Sequence, residues 1–180
     1  MTFKRFLYYQ TTIIMAGSII FPFYVLLLNN VGKNYAQFGW AYGLFSLTSA
    51  LAYPLIGKGA DHLGDKTLFI IYSWGMASLL LFFPLVTEVW HVYILQILMG
   101  ILGAMQKNTE KTALARQVTV ETAGTEIGKY HIFTSVGAAV AIILTGYMVD
   151  FLTIASIFYI ASFMYVVSAI ILMKKRNEIF

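Results

Sequence analysis

Six apolar runs dominate this sequence, and each is about as long as a helix that crosses a lipid bilayer. A helix rises about 1.5 Å per residue, so about 20 residues span a hydrocarbon core of about 30 Å. The pattern predicts an all-α integral membrane domain over residues 1–180, with six transmembrane helices and no separate extramembrane domain. The predicted helices are Phe6–Leu28, Ala36–Ile56, Thr67–Val86, Val92–Arg116, Ile127–Met148 and Ile154–Met173.

Composition supports membrane lipid as the main solvent of the chain. Only 11% of its residues are charged, against about 25% in a typical soluble domain. The absence of cysteine excludes disulfides and thiol catalysis. The histidines stand apart at His62, His91 and His131, with no metal-ligand spacing and no phosphate-binding loop. We therefore expect no metal, no cofactor and no enzymatic activity.

The basic residues predict the orientation in the membrane. Six spans put both termini on one side, and of the twelve Lys and Arg residues only Lys33 falls on the other side. Basic residues in short loops mark the cytoplasmic face of a membrane protein. Both termini are therefore expected in the cytoplasm, with the chain in a cell membrane or a bacterial inner membrane. The same distribution in short loops does not indicate nucleic-acid binding.

The fourth apolar run continues into polar residues that recur every three or four positions. This stripe consists of Gln96, Gly100, Gly103, Lys107 and Glu110. Asn108 and Lys111 lie beside its end, and Lys107 and Glu110 have the i,i+3 spacing of a pair. Charges at this depth normally face a water-filled cavity or the bundle interior. The alternative is a helix that ends near Met105 and is followed by a solvated loop, although so short a helix would span the bilayer poorly.

Three further polar positions are candidates for the cavity or for proton transfer. Gln10 and Tyr24 share one face of the first helix, where Gln10 either lines a cavity or forms a hydrogen bond to another helix. Glu110 is the best candidate for a proton-coupling acid, and its alternative role is a structural ion pair with a neighbouring lysine. His131 either carries protons near neutral pH or lies at the membrane interface without such a role.

Two helices carry small residues four apart, which let helix backbones approach closely in a membrane. The second helix has Gly39 and Gly43, and the fifth has Gly137, Ala141 and Thr145. Both faces are predicted to form helix contacts.

A polar stretch from Gly57 to Lys66 separates the second and third runs. It resembles the loop between the second and third helices of the major facilitator superfamily, whose pattern is Gly-x-x-x-Asp-Arg-x-Gly-Arg-Lys. The matching positions are Gly57, Asp61, Gly64 and Lys66, while His62 and Asp65 stand where the family has basic residues. The order of the six helices is similar to one half of such a transporter.

The resemblance implies a role for each helix. The first and fourth would line the central cavity, the third and sixth would face lipid, and the small-residue faces of the second and fifth would meet the other half. Asp61 would act as a latch that closes the cytoplasmic side, near the inner end of the other copy's fifth helix, with a hydrogen bond from Arg116.

The family has two six-helix halves, so the chain length predicts a homodimer with one shared cavity. A heterodimer and a fragment of a longer protein remain open.

We therefore expect a secondary transporter that moves a small polar or amphipathic solute by alternating access, with proton coupling. The alternative is a non-transporting membrane assembly or scaffold subunit. Charges placed deep in the membrane favour transport, since a scaffold does not need them. The substrate stays open, because Lys107 and Lys111 suit an anion while tyrosines and Gln10 suit a sugar.

Overall fold

In the computed structural model, the described part of the chain forms six long helices. The structure describes residues 1–31, 35–149 and 151–174, excluding the side chains of residues 21–31 and of Asp61. A short 3-10 turn, Phe83–Leu85, follows the third helix. The helices are α1 Phe3–Val31, α2 Tyr35–Leu63, α3 Asp65–Phe82, α4 Val89–Ala115, α5 Ala123–Met148 and α6 Ile154–Met173.

The polar stretch after the second run is mostly helical, unlike the predicted loop. Helix α2 continues to Leu63 and α3 begins at Asp65, so Gly64 alone makes the turn. Its φ of 77° lies in the left-handed region, where a side chain would be strained and glycine is favoured. Gly64 therefore makes the turn between the two helices, whereas Gly57 lies inside α2. The apolar run ends earlier than the helix because a helix end in water tolerates polar side chains.

Helix α4 remains helical through its charged residues as far as Ala115. The alternative in which the helix ends near Met105 is therefore wrong. A helix of 27 residues is about 40 Å long, which exceeds a hydrocarbon core of about 30 Å. Its charged end can project from the bundle core without breaking the backbone hydrogen bonds.

Helices α3 and α6 bury polar side chains against each other. Ser162 donates a hydrogen bond of 2.7 Å to the Ala77 carbonyl, and Ser168 donates one of 3.0 Å to Ser73. Such bonds hold helices together where lipid provides no hydrophobic drive. The expectation that the third and sixth helices face lipid fits only their outer faces, which expose residues such as Trp74 and Phe163. The high average hydrophobicity of α3 and α6 gives no indication that each has a polar inner face.

The small residues of α5 contact α1 of the same chain. A Cβ on Gly137 would lie 2.8 Å from the Thr11 methyl carbon, and Ala141 and Thr145 are both buried. These residues therefore serve packing within the bundle and not, as predicted, a contact between copies. Gly39 and Gly43 on α2 differ, since a Cβ on either would meet no atom within 4 Å.

The two chain ends meet at one end of the bundle, here called the termini end. Arg5 at the start of α1 donates a hydrogen bond of 2.6 Å from Nε to the Ile171 carbonyl, and another from Nη2 to the Lys174 carbonyl. A cation suits the partial negative charge at the end of α6 and satisfies carbonyls that lack helical partners. Arg5 thus fixes α1 beside α6.

By length and composition, α4, α5, α6 and the segment Asp65–Leu85 can each cross a membrane. Within the described residues, these four segments are the ones with that length and composition. The structure thus supports four of the six predicted crossings on this criterion.

Candidate substrate cavity

A concave space opens between helices α1, α3, α4, α5 and α6, with a volume of about 460 Å³. We call it the polar chamber, because it contains the charged end of the α4 stripe. Its described lining is Ile13, Ile14, Gly17, Ser18, Tyr72, Gln106, Lys107, Glu110, Ile142 and Tyr165.

A second space of about 280 Å³ adjoins the first and extends towards α2. We call it the apolar chamber, because aromatic and methionine side chains make up most of its wall. Its own lining residues are Ile20, Tyr42, Phe45, Met76, Phe83, Gln96, Met99 and Gly103. Both chambers share Gly17, Tyr72, Gln106, Lys107 and Tyr165, which therefore mark the junction between them.

Lys107 lies at this junction without a partner in the described part of the chain. The ion pairs found there are Arg116–Asp65 and Lys129–Glu126, so Lys107 and Glu110 do not form the ion pair that was the alternative role of Glu110. The i,i+3 spacing permits such a pair but does not require it. The Lys107 ammonium is thus available to the cavity.

Glu110 instead accepts a hydrogen bond from the hydroxyl of Tyr130 on α5. Tyr130 is only 2% exposed, and its ring stacks on Phe6 with the centroids 5.7 Å apart. The bond therefore joins the polar stripe of α4 to α5 at a fixed position. Tyr130 was not among the predicted residues, although a tyrosine buried in a membrane helix normally needs a hydrogen-bond partner.

Gln10 and Gln106 form a hydrogen bond between α1 and α4. Gln106 Nε2 donates to Gln10 Oε1 over 2.8 Å, so the alternative of an interhelical bond is the correct one for Gln10. The bond leaves two buried atoms, Gln10 Nε2 and Gln106 Oε1, without a partner in the described residues. The buried hydroxyls of Thr11 and Thr109 also have none there. Buried polar atoms of this kind normally have a partner, so Gln106 can still bind a water or a ligand in the cavity.

Tyr72 and Tyr165 also line the junction and were not predicted. Their hydroxyl oxygens lie 3.2 Å apart, and their rings meet edge to face. They come from α3 and α6, which were expected to face lipid from the resemblance. A tyrosine hydroxyl on each of two otherwise apolar helices is the sequence signal that would have indicated these two residues.

The other predicted cavity residues have different positions. Gln96 lines the apolar chamber, whereas Asn108 lines neither chamber and Lys111 borders a separate groove near residues 118–123. The side chain of Tyr24 lies outside the described residues. His131 is exposed on α5 and lines neither chamber. The structure therefore brings Lys107 together with Gln106 and the two tyrosines at the junction, with Glu110 in the polar chamber and Gln96 in the apolar chamber.

The predicted latch residues are only partly described. Arg116 donates a hydrogen bond of 3.0 Å to Asp65 at the start of α3, where Thr112 also donates one of 3.2 Å. The Arg116 partner is therefore Asp65 of the same chain, whereas a bond to Asp61 was expected. The Asp61 side chain lies outside the described residues, and Lys66 is exposed. The role of Asp61 as a latch stays a prediction.

We expect the Arg116–Asp65 pair to contribute little to stability. The Arg116 side chain is 57% exposed, and exposed ion pairs contribute up to about 1 kcal/mol because water screens them. Asp65→Asn, Arg116→Gln and the double variant should therefore form a thermal unfolding cycle with a small coupling. A coupling well above that figure would mean that the pair is a main stabiliser of the termini end.

The architecture is that of an integral membrane transport protein, with long apolar helices around a cavity whose wall carries charge. The Major Facilitator Superfamily model matches residues 8–178, and the chain belongs to that family. Membership indicates a transporter and not an enzyme.

The relatives of the chain are named as transporters or resistance proteins. The chain is 45% identical over 159 residues to "Uncharacterized MFS-type transporter YitZ" of Bacillus subtilis (strain 168), covering 88% of this chain and 97% of that protein. It is 29% identical to "Multidrug resistance protein MdtG" of Proteus mirabilis (strain HI4320) over 150 residues, and of Dickeya zeae (strain Ech586) over 152 residues. These alignments cover 81% and 82% of this chain but only 37% of each MdtG protein.

Proposed function

We propose that this protein is a secondary active transporter that moves a small polar or amphipathic solute by alternating access. The observation that carries the proposal is the junction of the two chambers. There the Lys107 ammonium and the Gln106 amide oxygen, neither with a partner among the described residues, meet two tyrosine hydroxyls from α3 and α6. A few polar groups that converge in a mostly apolar pocket are typical of a small-molecule site. A scaffold would not need such a site.

Transport by reconstituted protein tests this proposal. A panel of radiolabelled organic anions, cations and sugars would be offered to proteoliposomes under an imposed pH gradient. We expect uptake of at least one compound above that of protein-free liposomes. Gly17→Leu should abolish this uptake, because Gly17 borders both chambers and a larger side chain there would fill the junction.

Gly128→Leu provides the matched control, since a Cβ on Gly128 would meet no atom within 4 Å. It should transport as the parent does. Equal uptake by the Gly17 and Gly128 variants would contradict transport through this cavity. Absence of uptake across the whole panel would favour the scaffold alternative.

We further propose that all six helices of a single domain, residues 1–180, cross the membrane with both termini in the cytoplasm, and that two copies form the transporter. Two surfaces support this arrangement. On α2, Gly39 and Gly43 lie open, and on α5 an exposed apolar face consists of Phe133, Val136, Val140 and Ile143. Large side chains on one helix and small ones on the other permit close packing.

Cross-linking between copies tests the homodimer. Gly43 lies eight residues after Tyr35 and Val140 lies eight residues before Met148, so both are about 12 Å from the same end of the bundle. The chain has no cysteine, so Gly43→Cys and Val140→Cys would supply the only thiols. We expect membranes that contain both single variants to give a disulfide-linked dimer.

Gly43→Cys mixed with Phe163→Cys is the control, because Phe163 is exposed on a different helix, α6. It should give little dimer. Active protein that purifies at monomer mass would contradict the homodimer, and a cross-link to a different polypeptide would favour the heterodimer.

A further inference from the structure

We propose that the substrate is an amphipathic organic anion, whose single negative group binds Lys107 and whose apolar body enters the apolar chamber. This inference rests on the proposed transport function and specifies the ligand of the same cavity.

The charges on the cavity wall favour an anion. Among the described residues, only Lys107 and Glu110 contribute charged side chains to the two chambers. Glu110 already accepts a hydrogen bond from the Tyr130 hydroxyl, whereas Lys107 has no partner in the part of the chain that the structure describes. A ligand carboxylate at the Lys107 ammonium would form a charge-assisted hydrogen bond, which is stronger than a neutral one. An organic cation in the same position would be repelled.

The polar groups beside Lys107 fit the head of such a ligand. Gln106 is 8% exposed, lines both chambers and has an amide oxygen without a partner in the described residues. The hydroxyls of Tyr72 and Tyr165 reach the same junction. The head of the ligand would therefore lie where the chambers meet, and a hydroxyl or amide donor near its anion would pair with Gln106.

The apolar chamber fits the remainder of the ligand. Phe45 and Phe83 contribute flat rings, while Met76 and Met99 contribute flexible side chains that adapt to different shapes. Gln96 provides a second amide in this chamber, besides that of Gln106. A sugar would leave most of its hydroxyls unpaired against such walls, at a substantial energetic cost. An aromatic or branched apolar body has no hydroxyls and would not incur this cost.

Three naphthalene compounds of similar shape provide the test: 2-naphthoate, neutral 2-naphthamide and cationic 2-naphthylmethylamine. Their binding to the protein in lipid nanodiscs would be measured by naphthalene fluorescence, with empty nanodiscs subtracted. We expect 2-naphthoate to bind about tenfold more tightly than the amide, the scale of one charged hydrogen bond. The amine should bind most weakly.

Substitutions at one position identify the source of this preference. Lys107→Gln should remove the tenfold difference, and Lys107→Arg should retain it because the positive charge is kept. Lys111→Gln is the matched control, since Lys111 lies one helical turn away and lines neither chamber. It should bind as the parent does.

Equal binding of the three compounds, preference for the amine, or an unchanged preference in Lys107→Gln would overturn the inference. The outcome is separate from that of the transport assay. If 2-naphthoate binds through Lys107 but reconstituted protein moves no compound, the transport proposal fails while the anion site stands. If solutes are transported without any preference for anions, the inference fails and transport stands.

Discussion

Replacing Gly100 with alanine is expected to destabilise the bundle by about 3 kcal/mol, at the upper end of the range for overpacking. Gly100 lies on α4 where it crosses α2, and an added Cβ would approach the Phe45 carbonyl oxygen to 2.6 Å and the Ser49 nitrogen to 3.2 Å. Both atoms belong to the α2 backbone, which cannot move aside as a side-chain end can. The two helices would have to separate, and thermal unfolding in detergent, followed by tryptophan fluorescence, would measure the loss.

Two other glycines provide matched controls for this substitution. Gly128→Ala should not lower the unfolding midpoint, because its Cβ would meet no atom within 4 Å. Gly103→Ala should have an intermediate effect, since the nearest atoms belong to the end of the Phe45 ring, at 3.1 and 3.2 Å. If Gly100→Ala unfolds at the same temperature as Gly128→Ala, the close approach of α2 and α4 is wrong.

The second large effect is expected at Glu110, which we propose as the proton-coupling acid. Glu110 is the carboxylate that lines the polar chamber, within reach of the Tyr130 hydroxyl. Glu110→Gln keeps the size of the side chain and an oxygen for Tyr130, but it cannot bind and release a proton. With one proton per solute, a gradient of one pH unit drives accumulation of up to about tenfold. The variant should lose this accumulation and retain exchange of solute across the membrane.

The measurement compares net uptake under a pH gradient with counterflow in preloaded proteoliposomes. Glu126→Gln is the control, since Glu126 pairs with Lys129 at the start of α5 and lines neither chamber. It should accumulate solute as the parent does. If Glu110→Gln accumulates solute with an unchanged pH dependence, the coupling acid lies elsewhere. A loss of counterflow as well would indicate a role in substrate binding.

Helix bounds and helical faces, which depend on residues near in sequence, were predicted more accurately than contacts between residues far apart in sequence. The bounds Ile154–Met173 predicted for the sixth helix are those of α6, because its apolar run ends where the helix ends. The second helix extends past its apolar run to Leu63, since a helix can continue into water. The polar stripe of α4 follows from helical periodicity, so Lys107 and Glu110 were accessible to sequence analysis.

The residues that contact them were harder to predict from the sequence. The small-residue pattern of α5 indicated a close helix contact, but it could not distinguish α1 of the same chain from another copy. Tyr72 and Tyr165 were missed because a high average hydrophobicity conceals a single polar face. The expected partner of Arg116 was Asp61, whereas the structure pairs it with Asp65.

The sequence by itself determined the membrane class, the approximate helices and the side chains able to carry charge, since these depend on composition and local periodicity. Only the tertiary structure decided which groups meet. Gln10 and Gln106 are 96 positions apart, and Tyr9 donates a hydrogen bond of 3.0 Å to the Phe69 carbonyl, 60 positions away. Each helix has several faces, and its rotation is fixed by packing against all its neighbours together. The junction at Lys107 therefore exists only once α1, α3, α4 and α6 are assembled.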